Sequence, residues 1–409
     1  MNGSNFQIEQ QCPQCGAPII LDETDRILSC KFCRTHVYLA TNDHFRFYIP
    51  PAQGISEKIY FIPYWRIKGL SYAISAHDVS YKYFDANVIS FDSPLLPHSL
   101  GLRPQAMKLK FVSNADNAGK FIAASDKTKE NLLKNYRTQA GALREIFIGE
   151  TASVIYTPLY CSKGRVYDAV LKKPLYLQKK DAGMEEKLIA APEEKWHVDF
   201  LPLLCPECGA DLPGEKDTLI VFCENCHRAW NPSKNNFKNI KFATWPEKEK
   251  DVIYLPFWQM KVNVEGIQLE KYADLIRVAN LPKAPAEIWN KTPFYFHAPA
   301  FKLNPALFLR WCRQLTATPA SGDLTPDFPR SKIHQVTLSI NEAFDCSLVT
   351  LSSLMADKRH LAEVTASLKF TLEDYSLVLH PFTLSTRELI HTRLDFSLDL
   401  GSLTMGAYL

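Results

Sequence analysis

The sequence predicts an α+β, β-rich and internally duplicated protein, in which two small cysteine-rich ribbons are each followed by a mainly antiparallel β domain with one or two helices. Three observations support this fold class. Two cysteine quartets share one spacing, further segments match at the same offset, and short runs rich in β-branched and aromatic residues dominate the remainder.

The cysteine quartets are the strongest motif in the chain. Each has two C-x-x-C pairs separated by fourteen residues, a length that suits a β-hairpin, and the quartets lie 193 residues apart. Four thiolates at this spacing predict one tetrahedral Zn²⁺ site per quartet, with no open position for catalysis. Iron, or redox-active or unligated pairs, are the less favoured alternatives. The predicted ligands of two structural zinc ions are Cys12, Cys15, Cys30 and Cys33, and Cys205, Cys208, Cys223 and Cys226.

The duplication extends beyond the cysteines. Ile59–Lys68, around Pro63, matches Val252–Lys261, around Pro256, at an offset of 193 with no gap from the first cysteine onward. A match of 106–109 with 300–303 has an offset of 194, and one of 153–159 with 376–382 has an offset of 223. The second copy therefore carries roughly thirty extra residues. We expect them to form a hairpin or helix near 319–354.

These matches predict the domain organisation. The expected order is a ribbon at 1–45, a β-rich domain at 46–177, a charged linker at 178–198, a second ribbon at 199–238 and a second β-rich domain at 239–409.

Composition limits the function classes. The chain has 409 residues, is 46% hydrophobic and carries a formal charge of +3, so no chain-wide charge favours nucleic acid or an anionic membrane. Neither a signal peptide nor an apolar run long enough to span a membrane is recognisable. Most of the eleven cysteines belong to the quartets, unlike a disulfide framework, which predicts a reducing cytoplasm.

Apolar periodicity predicts few helices. One is expected over 126–147 and another over 304–315, where Asn304 is the N-cap and Pro305 follows. Because both follow the matched Lys-Leu segments, they are interpreted as equivalents. Alternation over 336–340 and 394–400 predicts strands, with a helix near 352–364 between them.

Two aromatic pairs adjoin the matched prolines, Tyr64 and Trp65 in the first copy and Phe257 and Trp258 in the second. A proline lacks a ladder donor, so Pro63 and Pro256 are expected at strand edges or bulges. The aromatic pairs could then form a contact surface, but packing of each ribbon onto its β domain is the favoured interpretation.

The remaining candidate residues give no catalytic site. His36, His44 and His227 lie near complete quartets and are expected at the surface or behind the ligands, while Cys161, Cys312 and Cys346 are scattered. Phosphate-binding, dinucleotide, metalloprotease and serine-hydrolase motifs are missing from the sequence. We therefore expect no catalytic residues and no enzymatic activity.

The quartets resemble the zinc ribbons of bacterial proteins of the transcription-factor-IIB-like type. The resemblance rests on Cys12-Pro-Gln-Cys15-Gly and Cys205-Pro-Glu-Cys208-Gly with their returning pairs, and Ile-Pro-Tyr-Trp and Leu-Pro-Phe-Trp resemble the segment after such ribbons. It implies the same two zinc sets and names no activity, because ribbons serve in nucleic-acid machines, enzymes and adaptors.

Local charge separates the two remaining functions. The first ribbon holds three basic and three acidic residues, and the second holds two basic and five acidic residues. Phosphate binding requires clustered Lys and Arg, which neither ribbon supplies. The predicted function is a protein-binding adaptor or scaffold component of a bacterial cytoplasmic complex, and the alternative is a nucleic-acid-binding zinc ribbon.

Overall fold

The strands follow from short apolar, β-branched runs separated by turn residues. The computed structural model describes residues 6–41, 43–75, 78–101, 103–113, 118–135, 142–175, 183–233, 236–249, 251–283, 286–319, 324–355 and 368–406. The first half contains β1 Gln7–Gln11, β2 Pro18–Asp22, β3 Ile27–Ser29, β4 His36–Ala40, β5 Phe45–Tyr48, β6 Ile59–Ser75, β7 Val79–Ile89, β8 Lys108–Phe111, β9 Lys120–Phe121, β10 Ala142–Ser162, β11 Arg165–Asp168 and β12 Lys173–Pro174. The second half contains β13 Asp199–Pro202, β14 Val221–Cys223, β15 Arg228–Ser233, β16 Asn236–Ile240, β17 Phe242–Thr244, β18 Val252–Glu265, β19 Phe296–Pro299, β20 Lys369–Ser385, β21 Glu388–His391 and β22 Ser397–Asp399.

Helices are fewer and shorter. They are α1 Asp126–Asn135, α2 Met184–Ala190, α3 Tyr272–Val278, α4 Pro305–Thr316, α5 Ile340–Leu354 and α6 Leu400–Gly406, with 3₁₀ turns at Arg103–Ala106 and Glu287–Asn290. The α+β, β-rich prediction is therefore confirmed. Within the described part of the chain, no helix combines the length and apolar character needed to cross a bilayer.

Each half is built on one long antiparallel strand pair. In the first half β6 pairs with β10 in a ten-stranded sheet, and in the second β18 pairs with β20 in a six-stranded sheet. Phe61 faces Pro158, and Tyr254 faces Pro381. The register is identical in the two halves, because the facing residues are related by the offsets of 193 and 223 read from the sequence. The duplication thus extends to strand pairing.

The matched prolines lie inside these long central strands, not at a sheet edge. On one side of β6, β9 pairs with Tyr60 and Phe61, and β7 pairs from Tyr64 onward. Pro63 lies in the gap between the two partners, and its carbonyl accepts the N–H of Ser90 at 2.8 Å. A missing ladder donor is tolerated there, because no partner strand requires it. The expectation of an edge or a bulge was wrong for this reason.

Two expectations about the position of the duplication's gaps were also wrong. β5 pairs in parallel with β10, and β17 pairs in parallel with β20. Equivalent residues of β5 and β17 are 196 positions apart, three more than the offset of 193 at the cysteines and at Pro256. The second copy therefore gains three residues before β17 and loses three between β17 and Pro256. Ala300 donates its N–H to Pro256 at 3.0 Å, as Ser90 does to Pro63, so Ala300 corresponds to Ser90 and not to Ala106.

Indole hydrogen bonds show which helices are equivalent. Trp65 donates to the carbonyl of Ser125, just before α1, and Trp258 donates to Leu338, just before α5. α1 therefore corresponds to α5, and α4 is not its equivalent. Seventeen of the thirty extra residues lie between Pro256 and Ala300, where α3 is found; three lie between Ala300 and Leu338, and ten between Leu338 and Pro381. The extra residues do not form a single insertion at 319–354.

Two secondary-structure predictions are wrong, because strand pairing in one case and helix capping in the other determine the structure. Residues 142–147 belong to β10 because they pair with β6, although their stripe suggested a helix. Val336 makes a single bridge to Ile220, and a capping box between Ser339 and Glu342 then starts α5 instead of a strand. The expected strand at 394–400 includes β22, and the helix expected at 352–364 lies mostly outside the described residues.

Three large apolar cores, and a smaller fourth cluster of Val252, Tyr254 and Leu379, hold the fold together. One core belongs to the first half, and one to the second half together with Tyr72, Ile74 and Ile148 of the first. The third joins the two ribbons to each other. Part of the segment expected to be a linker is ordered: Met184 and Leu188 of α2 are buried in the first core. Contacts between the halves therefore involve both the ribbons and the sheets.

Candidate metal centres

Each cysteine pair lies in the turn of its own hairpin or bridge. Cys12 and Cys15 occupy the turn between β1 and β2, and Cys30 and Cys33 the turn between β3 and β4. In the second ribbon Cys223 begins the turn between β14 and β15, and the other pair is framed by a bridge from Leu204 to Asp211. The fourteen intervening residues therefore connect two turns and are not themselves one hairpin.

All four turns share one backbone conformation. The residue after each pair donates its N–H to the carbonyl of the pair's first cysteine at 2.8–2.9 Å and has a left-handed φ between 57° and 74°. These residues are Gly16, Arg34, Gly209 and His227. Glycine adopts this conformation without steric cost, whereas Arg34 and His227 do not. The turn aims both sulfurs of a pair toward the same point.

The sulfur geometry fits one zinc ion per quartet. In each group the four Sγ atoms lie within 4.8 Å of one another. Cys12 and Cys33 are 3.6 Å apart, and Cys205 and Cys226 are 3.5 Å apart. Four sulfurs about 2.3 Å from a tetrahedral zinc ion are separated by about 3.8 Å. Both clusters are therefore compatible with a Zn²⁺ ion, which would be fully coordinated by protein sulfur.

Thiol ionisation is uneven in the two clusters. A hydrogen bond from Thr35 lowers the pKa of Cys33 to about 6, and one from Asn225 lowers that of Cys208 to about 6. Burial and hydrogen bonds to its neighbours raise the pKa of Cys226 to about 12. Each cluster thus has one thiol that ionises readily, and the second also has one that gives up its proton when a metal binds.

The two ribbons are fixed to each other. The backbone N–H groups of Arg26 and Ile27 donate to the carbonyl of Lys216 at 2.6 and 2.8 Å. The ammonium group of Lys216 lies 3.1 Å from the buried carboxylate of Asp25. Ile27 and Trp230 are buried in the core shared by the ribbons. Metal binding would consequently stabilise the interface between the ribbons as well as the four cysteine turns.

The aromatic pairs are buried. Tyr64 and Phe257 are 0% exposed, and Trp65 and Trp258 are 1% exposed. The indole N–H groups of the tryptophans donate to backbone carbonyls at 2.9 and 3.0 Å. Of the two interpretations left open by the sequence, the packing interpretation is correct, because these side chains offer no surface to a partner.

The three histidines near the ribbons have different environments. His36 is exposed and lies 3.4 Å from the hydroxyl of Ser29. His44 packs against the ring of Trp65, and burial, reinforced by nearby Lys129, lowers its pKa to about 4. His227 stacks on Phe328 with ring centroids 4.9 Å apart. None belongs to a cysteine cluster in the described part of the chain.

The scattered cysteines do not approach one another as a metal set. Cys161 is half-buried, and Cys312 and Cys346 are buried in the second core. Burial raises the pKa of Cys312 well above that of a free thiol. A buried neutral thiol is a poor nucleophile, which argues for a packing role.

Two buried polar groups were not identified from the sequence. Glu23, in the first ribbon, is 2% exposed and lies 3.8 Å from Arg66. His380 and His391 form a buried pair in the second sheet. The matching segments 153–158 and 376–381 align Thr157 with His380, so this difference between the copies was visible in the sequence.

Comparisons with known proteins add no relative. No family model matches the chain, and neither the curated proteins nor the solved structures include a significant match to it.

Proposed function

We propose that this protein is a zinc-stabilised, non-catalytic adaptor or scaffold component that binds another protein in the cytoplasm. Two closed sets of sulfur ligands support a structural metal, since four cysteines leave no position for a substrate. The burial of the aromatic pairs moves the proposed contact surface elsewhere, to the tip of the first ribbon.

One observation carries the proposal. Phe32, between Cys30 and Cys33, is 77% exposed, the largest exposed fraction among the large hydrophobic residues recorded in the described part of the chain. Lys31 and Arg34 beside it are also exposed. An aromatic side chain held on a rigid metal turn is a low-entropy contact group of the kind enriched in protein interfaces. Its basic neighbours favour a partner with an apolar pocket and an acidic rim.

The second ribbon provides the contrast. The position of Phe32 is occupied there by Asn225, and the nearby exposed ring of His227 stacks on Phe328. Its acidic excess also remains at the surface, at Glu207 and Glu224 among others. We therefore assign the contact surface to the first ribbon and a purely structural role to the second.

The same tip supports the alternative, nucleic-acid binding. Glu23 and Asp25 are buried, so the acidic residues that balance the first ribbon's charge in the sequence do not all face solvent. A solvent-facing Lys31-Phe32 pair with Arg34 combines basic and aromatic groups, as single-strand-binding surfaces do. Two basic residues are nevertheless a small electrostatic footprint for phosphate binding.

The test compares Phe32→Ser with the matched variant Asn225→Ser in the zinc-loaded full chain. A photo-crosslinking residue at position 32 identifies the bound protein in nuclease-treated native extract, and the purified partner is then titrated against each variant. Phe32→Ser should weaken binding at least about tenfold, as loss of an aromatic hot spot does, and Asn225→Ser should not. Equal binding by both variants contradicts the proposal.

A nucleic-acid arm separates the two functions. Fluorescence anisotropy with single-stranded and duplex oligonucleotides near 0.15 M salt should show no appreciable affinity. Submicromolar binding that weakens steeply with added salt, and that is lost in Phe32→Ser, overturns the adaptor proposal in favour of the alternative.

A further inference from the structure

A buried histidine pair lies at the edge of a cavity in the second sheet. His380 on β20 is 4% exposed, and His391 on β21 is 3% exposed. Nδ1 of His380 lies 3.0 Å from Nε2 of His391. Burial lowers the pKa of His391 to about 3 and that of His380 well below its ordinary value, so both rings are neutral near pH 7.

Hydrogen bonds determine which nitrogen of each ring carries the proton. Nδ1 of His391 accepts the backbone N–H groups of Arg393 and Leu394, each at 3.0 Å, so its proton is on Nε2. That N–H donates to Nδ1 of His380, which places the proton of His380 on Nε2. The pair therefore presents one N–H donor, from His380.

The first half contains a turn equivalent to the one that follows His391, so this turn is a property of the fold. Asp168 occupies the position of His391, and its Oδ1 accepts the N–H groups of Val170 and Leu171 at 2.8 and 3.0 Å. A carboxylate oxygen can only accept here. Nδ1 of His391 accepts the equivalent two bonds, which supports its assignment as the unprotonated nitrogen. Because Thr157 stands in place of His380, the imidazole N–H donor is specific to the second half.

His380 and Trp245 belong to the residues that line a cavity of about 40 Å³. Nε2 of His380 and the indole Nε1 of Trp245 are buried, and neither has a hydrogen-bond partner among the residues that the structure describes. Unpaired buried donors are costly unless something binds them. The described residues that line the cavity include no acidic one and are Trp245, Gln259, His297, Leu315, Thr318, Pro319, Leu324, Val378, His380 and Leu394.

We propose that this cavity, the His380 pocket, binds the carboxylate of a small organic acid. A carboxylate has two acceptor oxygens for the N–H groups of His380 and Trp245, and its bonds to them are charge-assisted. The guanidinium of Arg393, 6.0 Å from the ring centroid of Trp245, supplies a nearby positive charge. At about 10–15 Å³ for each water-sized group, the pocket holds a carboxylate with a short apolar tail against Leu315 and Val378.

The experiment titrates sodium acetate into the zinc-loaded full chain labelled with ¹⁵N-histidine. Ionic strength is held constant with chloride, and long-range ¹H–¹⁵N spectra report each histidine nitrogen. We expect a saturable shift of the Nε2 resonance of His380 and, for the uncharged isostere acetamide, at least about tenfold weaker binding, because its hydrogen bonds lack charge assistance. A cavity that holds only water gives no saturable shift, and that result overturns the proposal.

Variants locate the site independently of the spectra. His380→Thr installs the first-half residue and should abolish acetate binding measured by calorimetry, while the control Thr157→Val should leave it unchanged. Trp245→Phe removes the indole N–H while keeping an aromatic ring at this position, and it should weaken binding about tenfold, which keeps the test decisive if His380→Thr unfolds. Unchanged acetate affinity in Trp245→Phe, or equal affinity for acetamide, contradicts the proposal.

Discussion

Replacement of Trp258 by alanine distinguishes a core role of the matched aromatic residues from a contact role. The side chain is 1% exposed, packs edge-on against Tyr375 at 5.8 Å and donates to Leu338 at 3.0 Å. Truncation of a buried tryptophan costs about 3–5 kcal/mol of unfolding free energy. Trp258→Phe keeps most of the ring but removes the donor, and should cost about 1–3 kcal/mol.

The assay pairs stability with partner binding. For a unit of about 150–250 residues each kcal/mol corresponds to roughly 2–4 °C, so Trp258→Ala should lower Tm by roughly 6–20 °C. Zinc content at a temperature below the transition should stay unchanged, because Trp258 is not in the core shared by the ribbons. Phe32→Ala, at an exposed position, should shift the unfolding free energy by no more than about 0.5 kcal/mol.

The two variants should therefore show opposite behaviour. Trp258→Ala loses stability and, at a temperature where it is folded, retains the partner; Phe32→Ala retains stability and loses the partner. A Trp258→Ala protein with a Tm within 2 °C of the wild type but no partner binding would refute the packing interpretation.

Three further predictions concern the ribbons. Elemental analysis should find two zinc ions per chain, and chelation should increase hydrogen exchange over 12–40 and 205–240 while β6 and β10 stay protected; one zinc or none would contradict the metal assignment. Gly16→Ala should lower the free energy of unfolding in urea by about 1–2 kcal/mol; since an added Cβ meets nothing within 4 Å, the cost comes from the left-handed φ of +73° alone. Arg34→Gly should raise the free energy of unfolding by up to about 1 kcal/mol, and an unchanged value in Gly16→Ala would argue against strain at this position. Burial raises the pKa of Glu23, so its carboxyl group binds a proton more tightly in the folded state than in the unfolded state. The stability of the fold should therefore fall as pH rises from about 4.3, the unfolded pKa, through the raised folded pKa. Glu23→Gln should remove this dependence of Tm on pH, and Tm curves of the same slope for the variant and the wild type would contradict the prediction.

Features that depend on local spacing could be predicted from the amino-acid sequence. A C-x-x-C pair followed by a glycine defines a turn whose chemistry needs no distant residue, so both sets of four cysteines could be read directly. The offsets of 193 and 223 also relate the facing residues of the two long strand pairs, which have a common register in the structure. Duplicated sequences keep their hydrophobic pattern, and a shift of one residue would turn every side chain to the opposite face.

Helix equivalence could not be predicted from sequence matches alone. The short match of Ala106 with Ala300 was misleading, whereas the hydrogen bonds of Trp65 and Trp258 identify α1 and α5 as equivalents. Insertions spread over three segments of the chain change the sequence offset at each segment. Only the contacts that a residue makes in the folded chain report its structural position.

Tertiary structure also decided which side chains face solvent and which meet. Tyr64 and Phe257 are buried and Phe32 is exposed, although all three are aromatic residues within or beside motifs that occur in both copies at an offset of 193. His380 and His391 meet because β20 and β21 pair, and their proton positions follow from a backbone turn that also occurs around Asp168. Burial and tautomer are set by neighbours that are distant in the chain or belong to the backbone, and a linear pattern of residue types does not encode them.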